Sequence, residues 1–341
     1  MLTRRHIRIK VMQALYGFYQ ADERDASKSL TQLKSSLDNI YSLYLFELKA
    51  LTLILRIAED RIERNRGKNL PTEEDLNPNL KFVENSVLRS LADNKALQKE
   101  FELNSINWSE YRDMFAKIFR ELAATDEYQQ YLLGPRSIKE DKRIVKFIYG
   151  TYISGNEDIH AIYEEMNMHW ADDLDAAQMM VVKTIKVLMD INGRAISKVN
   201  FTAEKAEDVF KSNKLPSDFI IEDQKITMNL FKDKADKLFG PQLFTKTTNK
   251  SKEQDDLISE KTKNWEADRI ALLDNVLLKM AQTELTEFNE IPIRVTMNEY
   301  IELSKMYSTP KSSQFINGVL DQISIDLKAK GQIKKIGRGL M

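Results

Sequence analysis

The side chains best suited to binding a ligand are cations near the start of the chain. Arg4, Arg5, Arg8 and Lys10 all precede the first acidic residue, Asp22. Arginine binds phosphate because its planar guanidinium donates two parallel hydrogen bonds, and it also stacks on flat rings. This cluster therefore predicts binding of a phosphate-bearing ligand.

A second basic cluster ends the chain. After Asp326 every charged residue is a cation, namely Lys328, Lys330, Lys334, Lys335 and Arg338. The whole chain balances 51 Lys and Arg residues against 52 Asp and Glu residues, so any affinity for nucleic acid must come from this uneven placement of charge. The alternative is that both clusters are solvated, frayed termini.

Residue types that carry catalysis or hold metals are sparse. The chain has no Cys, and its three histidines, His6, His160 and His169, show no metal-ligand spacing. The Gly-Arg-Gly sequence at 337–339 has no following helix that would make it a phosphate loop. We therefore expect no enzymatic activity, no metal and no cofactor. The lack of Cys suits a reducing compartment, and no signal peptide or membrane span is predicted, which indicates a cytoplasmic protein.

The elements that position these side chains are predicted to be helices. Gly and Pro number only 11 and 7, and apolar residues recur at three- and four-residue spacing, which indicates an all-α fold. In the first helix one face is apolar: Ile7, Val11, Ala14, Leu15 and Phe18. The adjoining flank is basic and partly aromatic, with Arg5, Arg8, Met12, Tyr16 and Tyr19.

Breaks in composition predict three regions. Residues 1–69 form an N-terminal helical region, 70–250 a middle helical region, and 251–341 a C-terminal helical domain. Leu30–Arg64 is predicted to form one or two long helices, and the polar segment Thr245–Asp256 a mobile linker. In the C-terminal domain, Thr296 and Glu299 fit a capping box that opens a helix, and Pro310 fits the first position of the next one.

Four segments carry a resemblance to a known family. Asn264–Leu285, Ile291–Ser308 and Phe315–Ile323 resemble, in this order, the C-terminal region of the NusB family of transcription antitermination factors, and Arg4–Tyr16 is similar to its arginine-rich first helix. The resemblance implies an all-α protein of NusB-like helical bundles without enzymatic activity. Since family members are far shorter, the resemblance implies that the middle of this chain, residues 70–250, is an additional helical insertion or a partial duplication.

The resemblance also implies partners and contact residues. The expected partners are single-stranded boxA-type RNA of ribosomal RNA leaders, the small-subunit ribosomal protein NusE, and the RNA polymerase antitermination complex. The family's RNA-binding arginines correspond to Arg4, Arg5 and Arg8, its RNA-proximal aromatic residue corresponds to Phe315, and Asp274 matches an acidic position on the NusE side. Lys311 stands where family members often carry an acid.

Single-stranded RNA is bound by cations that follow its phosphates and by rings on which its bases stack. Arg4, Arg5, Arg8 and Lys311 are the predicted cations, and Phe315 and Tyr16 the predicted rings. This requires the two chain ends to meet along one strip of surface. The alternative is a helical protein–protein scaffold whose insertion binds another partner without RNA specificity.

Overall fold

The computed structural model describes residues 1–191, 194–197, 225–262 and 270–340 of the 341-residue chain. Its contacts divide the chain into two compact units. Unit 1 combines residues 1–38 with 231–341, and unit 2 contains residues 39–230. The sequence instead predicts boundaries after residues 69 and 250. The later boundary falls before residue 250 because α11, residues 234–249, packs on the first helix and so belongs to unit 1.

Helices make up nearly all regular structure of the described ranges. In chain order they are α1 (Arg4–Gln20), α2 (Ala26–Arg66), α3 (Glu73–Leu76), α4 (Ser86–Ala92), α5 (Lys95–Leu103), α6 (Arg112–Ala123), α7 (Asp126–Leu133), α8 (Ile138–Ile148), α9 (Glu157–Met166), α10 (Leu174–Val187), α11 (Lys234–Asn249), α12 (Ser251–Lys261), α13 (Leu272–Glu287), α14 (Ile293–Tyr307) and α15 (Ser312–Ala329). One antiparallel hairpin joins β1 (Leu188–Ile191) to β2 (Arg194–Ser197), with Leu188 opposite Ser197. The all-α prediction is confirmed, with this hairpin as a local addition.

Unit 1 is built around α13, which packs against α1, α11, α12, α14 and α15. Ile7, Val11 and Leu15 of α1 are fully buried, as the apolar periodicity predicts. Close packing of α1 on α11 depends on Gly240, because a Cβ there would lie 2.8 Å from Cγ2 of Ile7. The first helix is therefore an interior element of this unit rather than a surface arm.

Unit 2 has an aromatic core. The rings of Phe46 and Trp108 meet edge to face with centroids 5.4 Å apart, and those of Phe46 and Trp170 at 5.6 Å. Both buried indoles find acceptors, since Trp108 Nε1 donates to the Phe46 carbonyl at 2.9 Å and Trp170 Nε1 to the Asn39 carbonyl at 3.1 Å. These contacts pack the long helix α2 against the rest of unit 2.

Three local predictions are tested by these elements. The prediction of a long helix over Leu30–Arg64 is confirmed by α2. The predicted mobile linker Thr245–Asp256 is wrong, because most of it lies in α11 and α12, where Gln254 donates to the Lys279 carbonyl at 3.2 Å. The predicted helix starts are also wrong: α14 begins at Ile293, before Thr296, and α15 at Ser312, after Pro310.

Within the described ranges, no helix is both long enough and apolar enough to cross a membrane. A partial duplication at a spacing of 95 residues would pair Asp141 and Trp170 with Asp236 and Trp265. Trp265 lies outside the described residues. Asp141 and Asp236 do both occupy the first turn of a helix, α8 and α11 respectively.

Candidate functional site

The basic residues of α1 lie in its first two turns. The helix begins at Arg4 because Thr3 caps it: the Thr3 hydroxyl accepts from the backbone N–H of His6 at 3.4 Å, and the His6 imidazole accepts from the N–H of Thr3 at 3.3 Å. Because the helix begins there, Arg4, Arg5 and Arg8 project from it in different directions. Each side chain therefore has different neighbours.

Arg8 lies inside unit 1. Its Nη2 and Nε donate to the two carboxylate oxygens of Glu284 at 2.7 and 2.8 Å, and the two side chains are 3% and 0% exposed. Glu284 also accepts from the hydroxyls of Thr296 at 2.9 Å and Tyr300 at 3.0 Å. Every strong acceptor position of this carboxylate is thus used, which is the condition under which a buried ion pair is stable. Thr296 serves this network and does not cap a helix.

Arg5 lies at the surface and holds an acid of α14. Its Nη2 and Nε donate to Oε1 and Oε2 of Glu299 at 2.8 and 3.0 Å, and its side chain is 43% exposed. Glu299 also accepts from Nη1 of Arg8 at 3.4 Å. Burial alone would raise the pKa of Glu299, but the hydrogen bond from Arg5 and the charges of Arg8 and Arg5 hold it below its ordinary value.

Arg4 is half-buried and pairs with an acid of α11. Its Nε donates to Oδ1 of Asp236 at 2.8 Å, and its guanidinium lies 5.1 Å from the ring centroid of Phe239. The three arginines that the sequence singles out are therefore each engaged by a carboxylate of this chain. An anionic ligand reaches Arg4 or Arg5 only by competing with Asp236 or Glu299.

The C-terminal basic cluster reaches the same region. Lys335 Nζ donates to the backbone carbonyls of Glu284 at 3.3 Å and Phe288 at 3.0 Å, at the carboxyl end of α13. Cations are favourable there because the last carbonyls of a helix carry partial negative charge. Arg8 of α1 and Lys335 of the C-terminal cluster thus both contact Glu284, whereas the predicted strip requires Lys311 and Phe315 to lie beside the arginines.

Lys311 and Phe315 lie near the opposite end of α13. The start of α15 is fixed by Asp274, in the first turn of α13, which accepts from the hydroxyls of Ser308 at 2.6 Å and Ser312 at 2.8 Å. Lys311 is exposed and Phe315 is half-buried. Ten residues of α13 separate Asp274 from Glu284, a distance of about 15 Å along the axis. The predicted strip is therefore not one compact cluster but two groups at the ends of α13.

Tyr16 lies on α1, about two turns beyond Arg8. Helices α1 and α13 run antiparallel, since Arg8 contacts Glu284 while Tyr19 lies under Lys279, whose Nζ is 4.3 Å from the ring centroid. The ring of Tyr16 is 36% exposed, whereas Tyr19 is 9% exposed. Of the two tyrosines on the predicted flank, Tyr16 is the one available for stacking.

Asp274 does not present its carboxylate at the surface. The residue is 6% exposed, and both carboxylate oxygens accept hydroxyl hydrogen bonds. The residues that sequence reasoning missed are the acids that bind the arginines: Asp236, Glu284 and Glu299. One of them carried a signal, because Glu284 continues the apolar stripe of Leu277 and Met280, so a buried acid was predictable there.

Within the described ranges, no three His, Cys, Asp or Glu residues are grouped so as to hold a metal ion. The arrangement combines surface and buried arginines with the carboxylates that pair with them and one partly exposed tyrosine ring.

Comparison with known proteins identifies relatives. The NusB family model matches residues 193–324. "Transcription antitermination protein NusB" of Salinibacter ruber is 43% identical over 116 residues, which are 34% of this chain and 72% of that protein. The protein of the same name from Bacillus pumilus is 39% identical over 105 residues, 31% of this chain and 79% of that protein. The solved structure of T. maritima NusB is 35% identical over 28% of this chain and 66% of its own, with a TM-score of 0.26.

Proposed function

This chain belongs to the NusB family, and we propose that it is an RNA-binding transcription antitermination factor. Members of this family are transcription antitermination factors and not enzymes. In the proposal, the protein binds boxA-type single-stranded RNA of ribosomal RNA leaders together with NusE, and supports processive transcription within the RNA polymerase antitermination complex in the cytoplasm.

The observation that carries the RNA-binding part of this proposal is the exposed, bidentate contact of Arg5 with Glu299. A guanidinium that already accommodates two carboxylate oxygens is oriented to accommodate two phosphate oxygens. Arg4 offers a second such group beside Asp236. RNA phosphates would displace these two carboxylates, and Arg5 and Arg4 would then be the first cations along the RNA path.

Arg8 has an indirect role in this proposal. Its guanidinium is buried and bound by Glu284, so it supports RNA binding by fixing α1 against α13 and α14. That contact sets the position from which Arg5 projects. Arg8 is therefore a positioning residue, although the resemblance alone places it among the RNA contacts.

The second group of RNA contacts is Lys311 and Phe315, with Tyr16 on the way between the ends of α13. The 15 Å of helix axis estimated above can be spanned by an extended single strand of a few nucleotides, whose bases are unstacked from one another and free to stack on side chains. An RNA segment of this length would place phosphates on Arg5 and Lys311 and bases on Tyr16 and Phe315. The separation of the two groups thus suits an extended strand.

Asp274 is proposed to act on the NusE side through the α14–α15 connection. Its carboxylate binds Ser308 and Ser312 and so determines how the start of α15 is presented. NusE would recognise the surface that this connection forms rather than the carboxylate itself.

The test is titration of a fluorescent boxA-type RNA, with and without NusE, at two salt concentrations. Arg4→Ala/Arg5→Ala is compared with Lys28→Ala/Lys34→Ala, which removes two exposed cations of α2. If about four to six phosphates are neutralised, log K falls against log salt with a slope of about −3 to −4, and the α1 variant binds more weakly with a shallower slope. Equal RNA binding by both variants would favour the alternative, a protein–protein scaffold.

A further inference from the structure

Unit 2 contains a cleft of about 410 Å³ whose lining is rich in cations. It lies between one face of α2, the helix α4 and the segment that leads into α6. Its charged lining consists of four cations, Lys49, Arg56, Arg89 and Arg112, and two acids, Glu59 and Asp93. None of these residues belongs to the arginine cluster of unit 1, so the cleft requires an explanation of its own.

Two of the four cations are neutralised within the chain. Arg89 pairs with Glu59, contacts Asp93 at 3.8 Å and donates to the Val83 carbonyl at 2.6 Å. Arg112 pairs with Asp60. These two arginines are therefore structural, and they also use the acids that line this part of the cleft.

Lys49 and Arg56 are different. Among the residues that the structure describes, no carboxylate lies within ion-pair distance of either. Lys49 Nζ reaches only the amide oxygen of Gln98, at 3.4 Å, and the ring of Phe101, whose centroid is 4.6 Å away. Burial and the charge of Arg56 lower the pKa of Lys49, and Glu102 opposes this only weakly. Two cations thus face the same cleft without a neutralising acid.

Their spacing places both on one side of α2. Seven residues are close to two full turns, so the two side chains project in the same direction from points about 10 Å apart along the axis. Long, flexible side chains at this distance converge on an anion bound between them. An anion would relieve the mutual repulsion and supply the acceptor that Lys49 obtains only weakly from Gln98.

We propose that this cleft binds a phosphate group, with Arg56 and Lys49 as its ligands. The volume exceeds that of a lone phosphate and falls in the usual range for small-molecule sites. The lining also includes the apolar side chains of Leu53 and Trp108 and the polar side chains of Thr52, Asn107 and Ser109, a mixture that suits a base and a ribose. The ligand class is therefore a nucleotide, either free or as one unit of single-stranded RNA.

The experiment uses the full chain carrying Arg4→Ala/Arg5→Ala, so that RNA bound in unit 1 does not obscure the measurement. Calorimetric titrations are made with adenosine 5′-monophosphate, with adenosine, and with a short oligouridine RNA that lacks boxA. Each titration is repeated with Arg56→Gln and with Arg66→Gln as the matched control, since both residues are exposed arginines of α2.

We expect Arg56→Gln to weaken binding about tenfold or more, which is the loss of one charge-assisted hydrogen bond, while Arg66→Gln stays within about twofold. Binding of the monophosphate but not of adenosine supports the proposal with a free nucleotide as ligand. Binding of the RNA alone, with the same dependence on Arg56, supports it with RNA as the source. Binding that ignores Arg56, or no binding of any probe, would overturn it.

A second variant tests whether the weaker binding of Arg56→Gln reflects a lost ligand contact or a change in the fold. Lys49→Gln removes the other charge and is expected to weaken the same probe by a similar factor. If Lys49→Gln leaves binding unchanged while Arg56→Gln abolishes it, the phosphate does not lie between the two and the proposal fails. Because α1 is not altered between these variants, this failure is distinct from failure of the antitermination proposal.

Discussion

Arg8 and Lys335 bind the same residue, Glu284: Arg8 donates to its carboxylate at 2.7 and 2.8 Å, and Lys335 donates to its backbone carbonyl at 3.3 Å. The two basic ends of the chain are thereby joined at one point of α13. The basic residues at the chain ends are thus held in place by contacts within the chain. Of the three arginines of α1, only Arg4 and Arg5 are exposed enough to exchange their carboxylate for another anion.

Removal of one partner of the buried pair should strongly destabilise unit 1. Arg8→Ala leaves the Glu284 carboxylate buried without its cation, and we expect a loss of about 3–5 kcal/mol in the free energy of unfolding. Arg5→Ala, the matched surface variant, should cost about 1 kcal/mol or less. Urea unfolding monitored by circular dichroism measures both. Equal, small losses would show that Arg8 is not held as the structure places it.

Glu299 should compete with RNA for Arg5. Glu299→Gln removes the negative charge that occupies this guanidinium, so we expect affinity for boxA-type RNA at low salt to rise about threefold, the equivalent of one exposed ion pair. Glu302→Gln, which alters the same charge on the same helix without a hydrogen bond to Arg5, is the control. Weaker binding by Glu299→Gln would mean instead that Glu299 orients Arg5 for the RNA.

Substitution of the two tyrosines on the α1 flank should affect different properties: Tyr16 the affinity for RNA and Tyr19 the stability of the fold. Tyr16→Ala removes an exposed ring and is expected to cost about 1–3 kcal/mol of RNA affinity if a base stacks there, with little change in stability. Tyr19→Ala removes a buried ring that packs 5.2 Å from Phe18 and should lower stability by about 3 kcal/mol. Anisotropy titration and thermal unfolding of both variants distinguish the roles. A Tyr16 variant with unchanged affinity would remove this ring from the proposed RNA path.

Unit 2 should lose stability as the pH rises towards 8. Glu47 accepts from the hydroxyl of Tyr149 in the core, and burial raises the pKa of Glu47 from its ordinary 4.5 to about 8. Between these values the folded state holds a proton that the unfolded chain releases, so stability falls by up to about 1.4 kcal/mol per pH unit and levels off above pH 8. Denaturant midpoints between pH 5 and 9 measure the slope.

Glu47→Gln is expected to remove this dependence, since an amide preserves the shape of the neutral acid without titrating. Glu63→Gln, an exposed position of the same helix, should leave it intact. A slope that is the same in both variants would assign the pH dependence to another group.

The sequence was enough to predict the helical fold, the buried face of the first helix and the family. Each of these depends on the spacing of residue types over short stretches of the chain. Ile7, Val11 and Leu15 repeat at helical spacing, and all three are fully buried. The same local reasoning placed helix starts at Thr296 and Pro310, where the residue types fit a cap. It failed there because the Thr296 hydroxyl is used by Glu284 in a neighbouring helix, a contact that spacing along the chain does not reveal.

Which cations remain accessible was decided only by the tertiary structure. Arg5 and Arg8 are the same residue type three positions apart, yet one is 43% and the other 3% exposed. Both arginines bind acids from helices far along the chain. The difference arises because Glu284 is buried in the interior, with its side chain 0% exposed, whereas the Glu299 side chain is 19% exposed. Residue type and spacing determined that positive charge would gather at the chain ends, and long-range carboxylates determined how much of it is left for a ligand.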